Sequence, residues 1–242
     1  MMIDTNNEGW ADPKKILVIL AHPDDPEFFC GATIARWTRA AHEVRYCLLT
    51  SGDKGGRDDG TTSVQLAILR EEEQRKAAAV LGVQEIEYLR HPDGYLFPDL
   101  NLRREVVRSI RKHRPDVVIG CDPTNLFVRE SYINHPDHRA AGQVVVDAIM
   151  PAAGNHLFFP ELREEGFEPH SITELWLSLT AEPDIEIDVT DEWQFKIAAL
   201  HEHRSQIGDP EEFDRRMLSR RTPDSTDEAP RFVERFRRFK FG

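Results

Sequence analysis

The stretch ILVILAHPDDPEFFCG, residues 16–31, decides how this sequence folds. The five aliphatic residues at 16–20 form a run with the length and composition of a buried strand. An imidazole and three carboxylates follow within seven positions: His22, Asp24, Asp25 and Glu27. Asp24 could simply cap the next helix, or the cluster could be a solvated turn. Alternatively, these groups converge on a cation or on a reacting bond.

Length and charge narrow the class of protein. The chain has 242 residues, 40% of them hydrophobic, which is enough for one sizeable core in a single α/β domain. Its net charge of −12 argues against binding to a nucleic-acid backbone or an anionic membrane, since both need a basic surface. The longest apolar runs have the length of strands and are too short to span a bilayer.

The first residues and the cysteines indicate a compartment. Residues 1–15 lack the hydrophobic stretch of a signal peptide, so we expect a cytoplasmic protein. Cys30, Cys47 and Cys121 are scattered and show no CxxC spacing. They are typical of small core residues in a reducing compartment, and indicate neither disulfides nor a thiolate metal site.

Strand and helix patterns alternate over the first 150 residues. The expected strands are KKILVILAHP, EVRYCLLTS, IEYLR and PDVVIGCD, and the expected helices are EFFCGATIARWTRAA, SVQLAILREEEQRKAAAVLG and LNLRREVVRSIRKH. This order predicts βαβ units and an α/β fold: a Rossmann-like, mostly parallel sheet with helices on both faces.

The pattern loosens after residue 150. SITELWLSLT and IEIDVT are expected to be strands, and DEWQFKIAALHEHRSQ an amphipathic helix. From Gly208 onward the chain is highly charged. Its FVERFRRFKF stretch has Phe at a spacing of three or four residues, which predicts a packing helix.

Three His-Pro-Asp triplets begin at His22, His91 and His135. The first two directly follow predicted strands, and the third follows the strand that ends near Asp122 after an unusually long loop. Because ligands bind beyond the carboxyl ends of parallel strands, all three triplets should lie at one edge of the sheet. One triplet alone indicates only a turn, since proline ends a strand. Three together predict a polar basin.

The third triplet extends to HPDHRAAG, in which His135 and His138 lie three residues apart at a predicted helix start. A catalytic zinc site has three protein ligands from the N/O set and one open position for water, and two His with one Asp fit that formula. Of Asp24 and Asp25, only one is expected to be a ligand. The other would take a proton from the metal-bound water.

The pair AHPDDPEF and HPDHRAAG resembles the LmbE/PIG-L family of zinc-dependent N-acetylglucosaminyl deacetylases. LLTSGDKGG, the Arg70–Glu73 helix segment, HPDGYL and DVTDEWQFKIAALHEHRSQ are similar to further segments of that family. The resemblance covers roughly residues 14–207. It implies one LmbE-like domain over 14–207, with an N-terminal extension over 1–13 and a charged, helical tail over 208–242 packed on the domain.

The resemblance also implies roles for the clustered residues. His22, Asp25 and His138 would bind Zn²⁺ or another divalent metal, and Asp24 would be the general base. His91 is a weaker rival as ligand.

Further roles follow from the same resemblance. His135, oriented and kept cationic by Asp137, would face the oxyanion and could protonate the leaving amine. Arg70 and Asp93 match positions that contact the sugar in this family.

The sequence departs from the family pattern after HPDD, where many members have Glu directly and this chain has Pro26 before Glu27. We expect a structural part for Glu27, either capping the first helix or bonding a neighbouring backbone. His201 and His203 receive no role.

The Gly-rich loop from Gly52 to Gly60 lacks phosphate-loop spacing and is expected to form a wall of the site.

The resulting hypothesis is an enzyme, a metal-dependent deacetylase that hydrolyses the acetamido group of an N-acetylglucosamine-type sugar or conjugate. An amidase of a thiol conjugate or of another acylated small molecule is the alternative within hydrolases. A sugar or nucleotide binder without catalysis is the alternative from another class. The expected partner is a small molecule, and apolar residues of the C-terminal third could serve a homo-oligomer.

Overall fold

The computed structural model describes residues 4–5, 8–56, 60–129 and 132–241. The strands are β1 (Asp4–Thr5), β2 (Lys15–Leu20), β3 (Glu43–Thr50), β4 (Ile86–His91), β5 (Val117–Cys121), β6 (Phe127–Arg129), β7 (Tyr132–Ile133), β8 (Glu174–Ser178), β9 (Ile185–Asp188) and β10 (Val233–Lys240). The helices are α1 (Asp25–Arg39), α2 (Ser63–Val80), α3 (Leu100–His113), α4 (Pro136–Asp147), α5 (Glu161–Glu164), α6 (Trp193–Glu202), α7 (Arg204–Ile207) and α8 (Pro210–Leu218), with a π-helical segment at Ala148–Ala153.

Eight strands form one sheet in the order β1-β9-β10-β8-β5-β2-β3-β4, while β6 and β7 form a separate hairpin. β2 pairs in parallel with β3 and β5, and the parallel pairing continues to β4 on one side and β8 on the other. The predicted α/β fold, a Rossmann-like and mostly parallel sheet, is confirmed.

The helix predicted for FVERFRRFKF is wrong, because this stretch forms strand β10. β10 lies between β8 and β9 and runs antiparallel to both. Phe232 and Phe236 are buried in the core, and the Phe236 ring packs 5.4 Å from the ring of Trp176 on β8. The spacing of Phe residues in the tail is therefore typical of a helix, but this stretch is a strand because it pairs with two strands that are distant in sequence.

Alternate residues of the central strands face two separate apolar layers. Val18 of β2 contacts the layer that includes α1, α2 and α6, whereas Ile19 contacts the layer that includes α3 and α4. Burial on both faces explains why β2 is a continuous apolar run with no polar alternation. Among the described residues, no helix combines the length and the apolar character needed to cross a membrane.

The order of the strands reverses between β2 and β5. From β2 the chain continues to β3 and β4 on one side, and later places β5 and β8 on the other side. A crevice opens beyond the strand ends at such a switch point, where ligands bind in open α/β sheets. His22 follows β2 and the long loop to His135 follows β5, so the fold brings the first and third triplets to this crevice.

Candidate active site

Asp25 joins two histidines from different parts of the chain. Its Oδ2 lies 3.3 Å from Nδ1 of His22, and its Oδ1 lies 3.1 Å from Nε2 of His138. All three residues are buried. Nδ1 of His138 lies 3.1 Å from Oδ1 of Asn134, a contact that directs Nε2 toward Asp25. The structure thus brings together the three residues predicted as metal ligands.

His135 lies close to the same cluster. A nitrogen from each of His22, His135 and His138 can be chosen so that all three lie within 4.8 Å of one another. His22 also forms such a group with Asp93 and Asp137. The site therefore offers more donors than three ligands require.

The donors are imidazole nitrogens and carboxylate oxygens, which suit zinc and similar divalent ions. Burial works against a charged imidazole at His22, but the surrounding carboxylates, Asp25 first, raise its pKa well above the usual value. Burial likewise works against the charge on Asp25, and the imidazoles of His138 and His22 lower its pKa nevertheless. The negative charges of these carboxylates favour a positive charge between them, so the residues present fit a divalent cation.

Asp24 contacts a different partner from Asp25. Its Oδ2 accepts a hydrogen bond from Nη2 of Arg70 at 3.2 Å, and its side chain makes no cap to α1. Burial raises the pKa of Asp24, while the charge of Arg70 opposes that rise. The adjacent aspartates therefore face different partners, as expected for one ligand and one base. The interpretation of Asp24 as a helix cap through its side chain is wrong.

The contact between Asp137 and His135 differs from the one predicted. The carboxylate of Asp137 accepts from the backbone N–H groups of Gly94 (2.7 Å) and Leu96 (3.2 Å), and lies 3.4 Å from Nε2 of His22. Only the backbone N–H of Asp137 reaches His135, donating to Nδ1 at 3.2 Å. A nitrogen that accepts carries no proton, so the carboxylate does not keep His135 cationic.

The pKa of the His135 ring depends on burial and on the charged groups around it. Burial and then the neighbouring charges of His22 and His138 lower its pKa. The prediction of a His135 kept cationic by Asp137 is therefore wrong in this structure. With Nδ1 accepting from the backbone N–H of Asp137, Nε2 is the ring nitrogen that can donate a hydrogen bond.

Arg70 and Asp93 border the same cavity. Arg70 donates to the carbonyl oxygens of Gly52 (2.9 Å) and Pro23 (2.7 Å). Asp93 Oδ1 lies 3.0 Å from Nε2 of His22, and Oδ2 accepts from the backbone N–H of Lys54 at 3.1 Å. Burial opposes the charge of Asp93, but His22 and the Lys54 amide lower its pKa to about 2. Both residues hold neighbouring loops in place, and their contact with a sugar stays a prediction.

The cavity has a volume of about 1040 Å³. The predicted site residues on its wall are His22, Asp24, Asp25, Arg70, Asp93, His135 and His138. Gly55 of the Gly-rich loop also lines it, which agrees with the wall expected from Gly52 to Gly60, although residues 57–59 lie outside the described part. Phe28, Phe29, Tyr132 and Trp193 give the same cavity an apolar side.

The remaining histidines lie elsewhere. Nε2 of His91 contacts Glu105 at 2.5 Å, and His91 does not belong to either cluster of potential metal ligands in the described residues. His201 contacts Asp214 at the surface at 2.7 Å. His203, in contrast, is fully buried.

The expected backbone or capping part for Glu27 is wrong, because its carboxylate binds side chains. It accepts from Nε2 of Gln74 (2.9 Å), the hydroxyl of Tyr46 (3.4 Å) and Nε2 of His203 (3.2 Å). Gln74 in turn contacts the backbone of Asp24. Gln74 was not predicted from the sequence. Its position one helical turn after Arg70 was the only available signal.

Comparison with known proteins shows which family this chain resembles. The family model described as PIG-L, GlcNAc-PI de-N-acetylase, matches residues 17–149. The chain is 36% identical over 201 residues to a diacetylchitobiose deacetylase of Thermococcus kodakarensis, covering 83% of this chain and 73% of that protein. It is 27% identical to a 1D-myo-inositol 2-acetamido-2-deoxy-alpha-D-glucopyranoside deacetylase of Saccharopolyspora erythraea. That match covers 79% of this chain and 83% of that protein.

A solved structure shows the same fold. The N,N'-diacetylchitobiose deacetylase from Pyrococcus horikoshii, in complex with an inhibitor, superposes with a TM-score of 0.85 at 29% identity. The match covers 95% of this chain and 85% of that one.

Proposed function

The chain belongs to the PIG-L (LmbE-like) family, and from that membership we propose that it hydrolyses the acetamido group of an N-acetylglucosamine-type sugar or conjugate. The products are acetate and a free amine. The observation that carries the proposal is the joining of His22 and His138 through Asp25 on the wall of a large cavity, with Asp24 beside them. The names of the relatives support N-acetylated amino sugars as the substrate class.

We infer that His22, Asp25 and His138 hold a divalent metal, and that this metal is Zn²⁺. Their buried N/O donor set supports this assignment, although other divalent ions suit the same donors. When bound, such a cation polarises the amide carbonyl and makes a nearby water more acidic.

The protein's own groups then move the protons. The carboxylate of Asp24 accepts a proton from the water whose oxygen attacks the acetamido carbon. Nε2–H of His135 donates a hydrogen bond to the oxygen that becomes negative in the tetrahedral intermediate. The C–N bond breaks as Asp24 returns its proton to the departing amine nitrogen, so acetate and amine leave and the base is regenerated.

The surrounding residues orient these groups. The backbone N–H of Asp137 holds Nδ1 of His135 as an acceptor, which leaves Nε2–H free to donate. Arg70 and Asp93 are proposed to contact sugar hydroxyls from the cavity wall, where both are fixed by neighbouring backbone groups.

The test is a direct assay of acetyl loss. The protein is loaded with Zn²⁺ and incubated with N-acetylglucosamine, N,N'-diacetylchitobiose, an N-acetylglucosaminyl inositol and an N-acylated thiol conjugate. Mass spectrometry should show the free amine from one or more of the sugars, with one acetate released per amine. Chelator-treated protein is the control. Turnover of only the thiol conjugate would favour the alternative amidase, and binding without acetate release would favour a non-catalytic binder.

A further inference from the structure

One peptide group next to the proposed base is held at both of its polar atoms. The carbonyl oxygen of Pro23 accepts from Nη2 of Arg70 at 2.7 Å, and the N–H of Asp24 donates to Oε1 of Gln74 at 2.8 Å. This C=O and this N–H belong to the same peptide plane. Arg70 and Gln74 lie four residues apart on α2, so one face of that helix holds the whole plane.

The held peptide leads into an unusual backbone conformation. Asp24 has φ 84° and ψ −27°, the left-handed region that residues with a Cβ rarely adopt. Turning the peptide by half a rotation would move Asp24 out of this region. It would also bring the carbonyl against Oε1 of Gln74 and the N–H against the guanidinium of Arg70. Donor would meet donor and acceptor would meet acceptor, so the two side chains oppose the rotation.

The amide of Gln74 can oppose the rotation only in one orientation. Its Nε2 donates to Oε1 of Glu27 at 2.9 Å, and a carboxylate only accepts hydrogen bonds. If the amide were reversed, its oxygen would face the carboxylate and its NH₂ group would face the N–H of Asp24. Glu27 therefore selects the orientation in which Gln74 presents an acceptor to Asp24.

Glu27 is itself anchored by two further side chains. The hydroxyl of Tyr46 and Nε2 of His203 donate to its two carboxylate oxygens, and all of these side chains are fully buried. Burial works against a charged His203, but the hydrogen bond and charge of Glu27 raise its pKa. Glu27, Gln74, Tyr46 and His203 are not among the described residues that line the cavity. They can therefore affect the reaction only through other residues.

We propose that Gln74, oriented by the buried pair Glu27–His203, is a positioning residue that keeps the Pro23–Asp24 peptide in place and so directs the carboxylate of Asp24 into the cavity. The proposal rests on the proposed function, in which Asp24 is the general base. It assigns a role to Glu27 and His203, which the sequence motifs leave without one.

The first variant is Gln74→Leu, which removes the acceptor at similar size. We expect kcat to fall by about 10- to 100-fold because the base is misplaced, with KM within about 2-fold and metal content unchanged. The matched control is Val107→Ala in α3, a core substitution in the apolar layer on the other face of the sheet. It should lower the melting temperature with no change in kcat, which separates positioning from general destabilisation.

The second test exchanges donor and acceptor. In Gln74→Glu alone, two carboxylates face each other, and kcat should be as low as in Gln74→Leu. In the double variant Glu27→Gln/Gln74→Glu, the new amide at 27 donates to the new carboxylate at 74, which still accepts from the N–H of Asp24. We expect the double variant to recover kcat to within about 5-fold of the wild type. A double variant no better than Gln74→Glu overturns the proposal.

Crystal structures of the wild type and Gln74→Leu give a readout that needs no activity. The proposal expects φ of Asp24 to stay positive in the wild type and the double variant, and to change sign or become disordered in Gln74→Leu. An unchanged Asp24 with kcat within 2-fold of the wild type overturns it. If the wild type releases no acetate from any substrate, the proposed function fails, and the backbone of Asp24 in these structures still decides whether Gln74 holds the peptide.

Discussion

Nη2 of Arg70 lies 3.2 Å from Oδ2 of Asp24, and both side chains are largely shielded from solvent, with 5% and 13% of their surface exposed. Burial raises the pKa of Asp24, and this fixed cation opposes the rise. The same guanidinium also holds the carbonyl of Pro23. Arg70 thus contributes to both the charge and the position of the proposed base.

Replacing Asp24 by Asn should separate metal binding from chemistry. Asp24 is not a proposed ligand, so Asp24→Asn should keep its metal, measured by mass spectrometry of the native protein. The amide cannot accept the proton of water, and the loss of one general base typically lowers the rate by about 10²- to 10⁴-fold. If activity and metal content fall together, Asp24 is a ligand and the two aspartates exchange roles.

Replacing His138 by Ala should remove the metal. His138 directs Nε2 at Asp25 from a buried position, so His138→Ala should lose one metal per chain and its activity with it. His91→Ala is the matched control, because His91 contacts Glu105 away from the cluster. It should keep both metal and turnover. Loss of metal in His91→Ala would contradict the assigned ligand set.

Replacing His135 by Ala tests whether it donates to the oxyanion or binds the metal. As a donor of one hydrogen bond to the transition state, its loss should lower kcat by about 10²- to 10³-fold with metal content unchanged. His135 lies close enough to His22 and His138 to be a ligand in place of Asp25. A metal-free His135→Ala together with a metal-containing Asp25→Asn would establish that exchange.

The stability of the fold should depend on pH through Glu87. Burial opposes its charge, but hydrogen bonds from His113 and Ser109 and the charge of Lys112 lower its pKa from 4.5 to about 2. A carboxylate with a lowered pKa contributes stability above pH 4.5, and this contribution is lost as the pH falls from 4.5 toward 2.

Glu87→Gln should therefore lower the free energy of unfolding at pH 7 by up to about 3 kcal/mol. Urea unfolding should show the difference from the wild type shrinking between pH 4.5 and 2. Glu72→Gln, which removes an exposed partner of Lys76, is the control and should have little effect at any pH. A deficit in Glu87→Gln that stays constant with pH would contradict the role given to its charge.

A buried ion pair stabilises the bend in α1. Nζ of Lys196 lies 2.5 Å from Oε1 of Glu234 and 2.9 Å from the carbonyl of Phe28, and Glu234 accepts from the backbone N–H of Thr33. These contacts flank Cys30, where the backbone of α1 is not helical. Lys196→Met leaves Glu234 buried without its cation and should lower the free energy of unfolding by about 3–5 kcal/mol.

Guanidinium unfolding monitored by tryptophan fluorescence measures that effect. Lys76→Met, which removes an exposed ion pair with Glu72, should change stability by less than about 1 kcal/mol. Equal effects from Lys196→Met and Lys76→Met would show that the buried pair contributes no more than a surface pair.

Sequence patterns predicted those parts of the molecule that depend on neighbours along the chain. The apolar run of β2 and the helix Leu100–His113 follow from local periodicity, and three triplets after strands were enough to place a polar basin. The closeness of His22 and His138 to the two aspartates of HPDD could be predicted because parallel strands end at one edge of the sheet. The choice of Asp25 over Asp24 as the ligand came from the family resemblance.

Other features depend on contacts between distant segments. Glu27 and His203 are 176 residues apart, and no local spacing indicates that they meet. The carboxylate of Asp137 turns to the amides of Gly94 and Leu96, although His135 is only two residues away in the chain. Adjacency along the chain predicted the wrong partner, because unpaired backbone donors of a neighbouring loop compete for the same oxygen.

The insertion of β10 between β8 and β9 has a consequence for how the molecule is made. β8 and β9 follow each other closely along the chain, yet in the sheet neither can pair with the other, since both bind residues 233–240. A ribosome releases β8 and β9 before β10, so the nascent sheet ends at an open β8 edge until β10 emerges. Closure of this half of the sheet, and with it the seating of Glu234 against α1, therefore waits for residues 233–240, and a ribosome-stalled chain ending before residue 233 should be sensitive to protease at β9 while β2, β3 and β5 are protected.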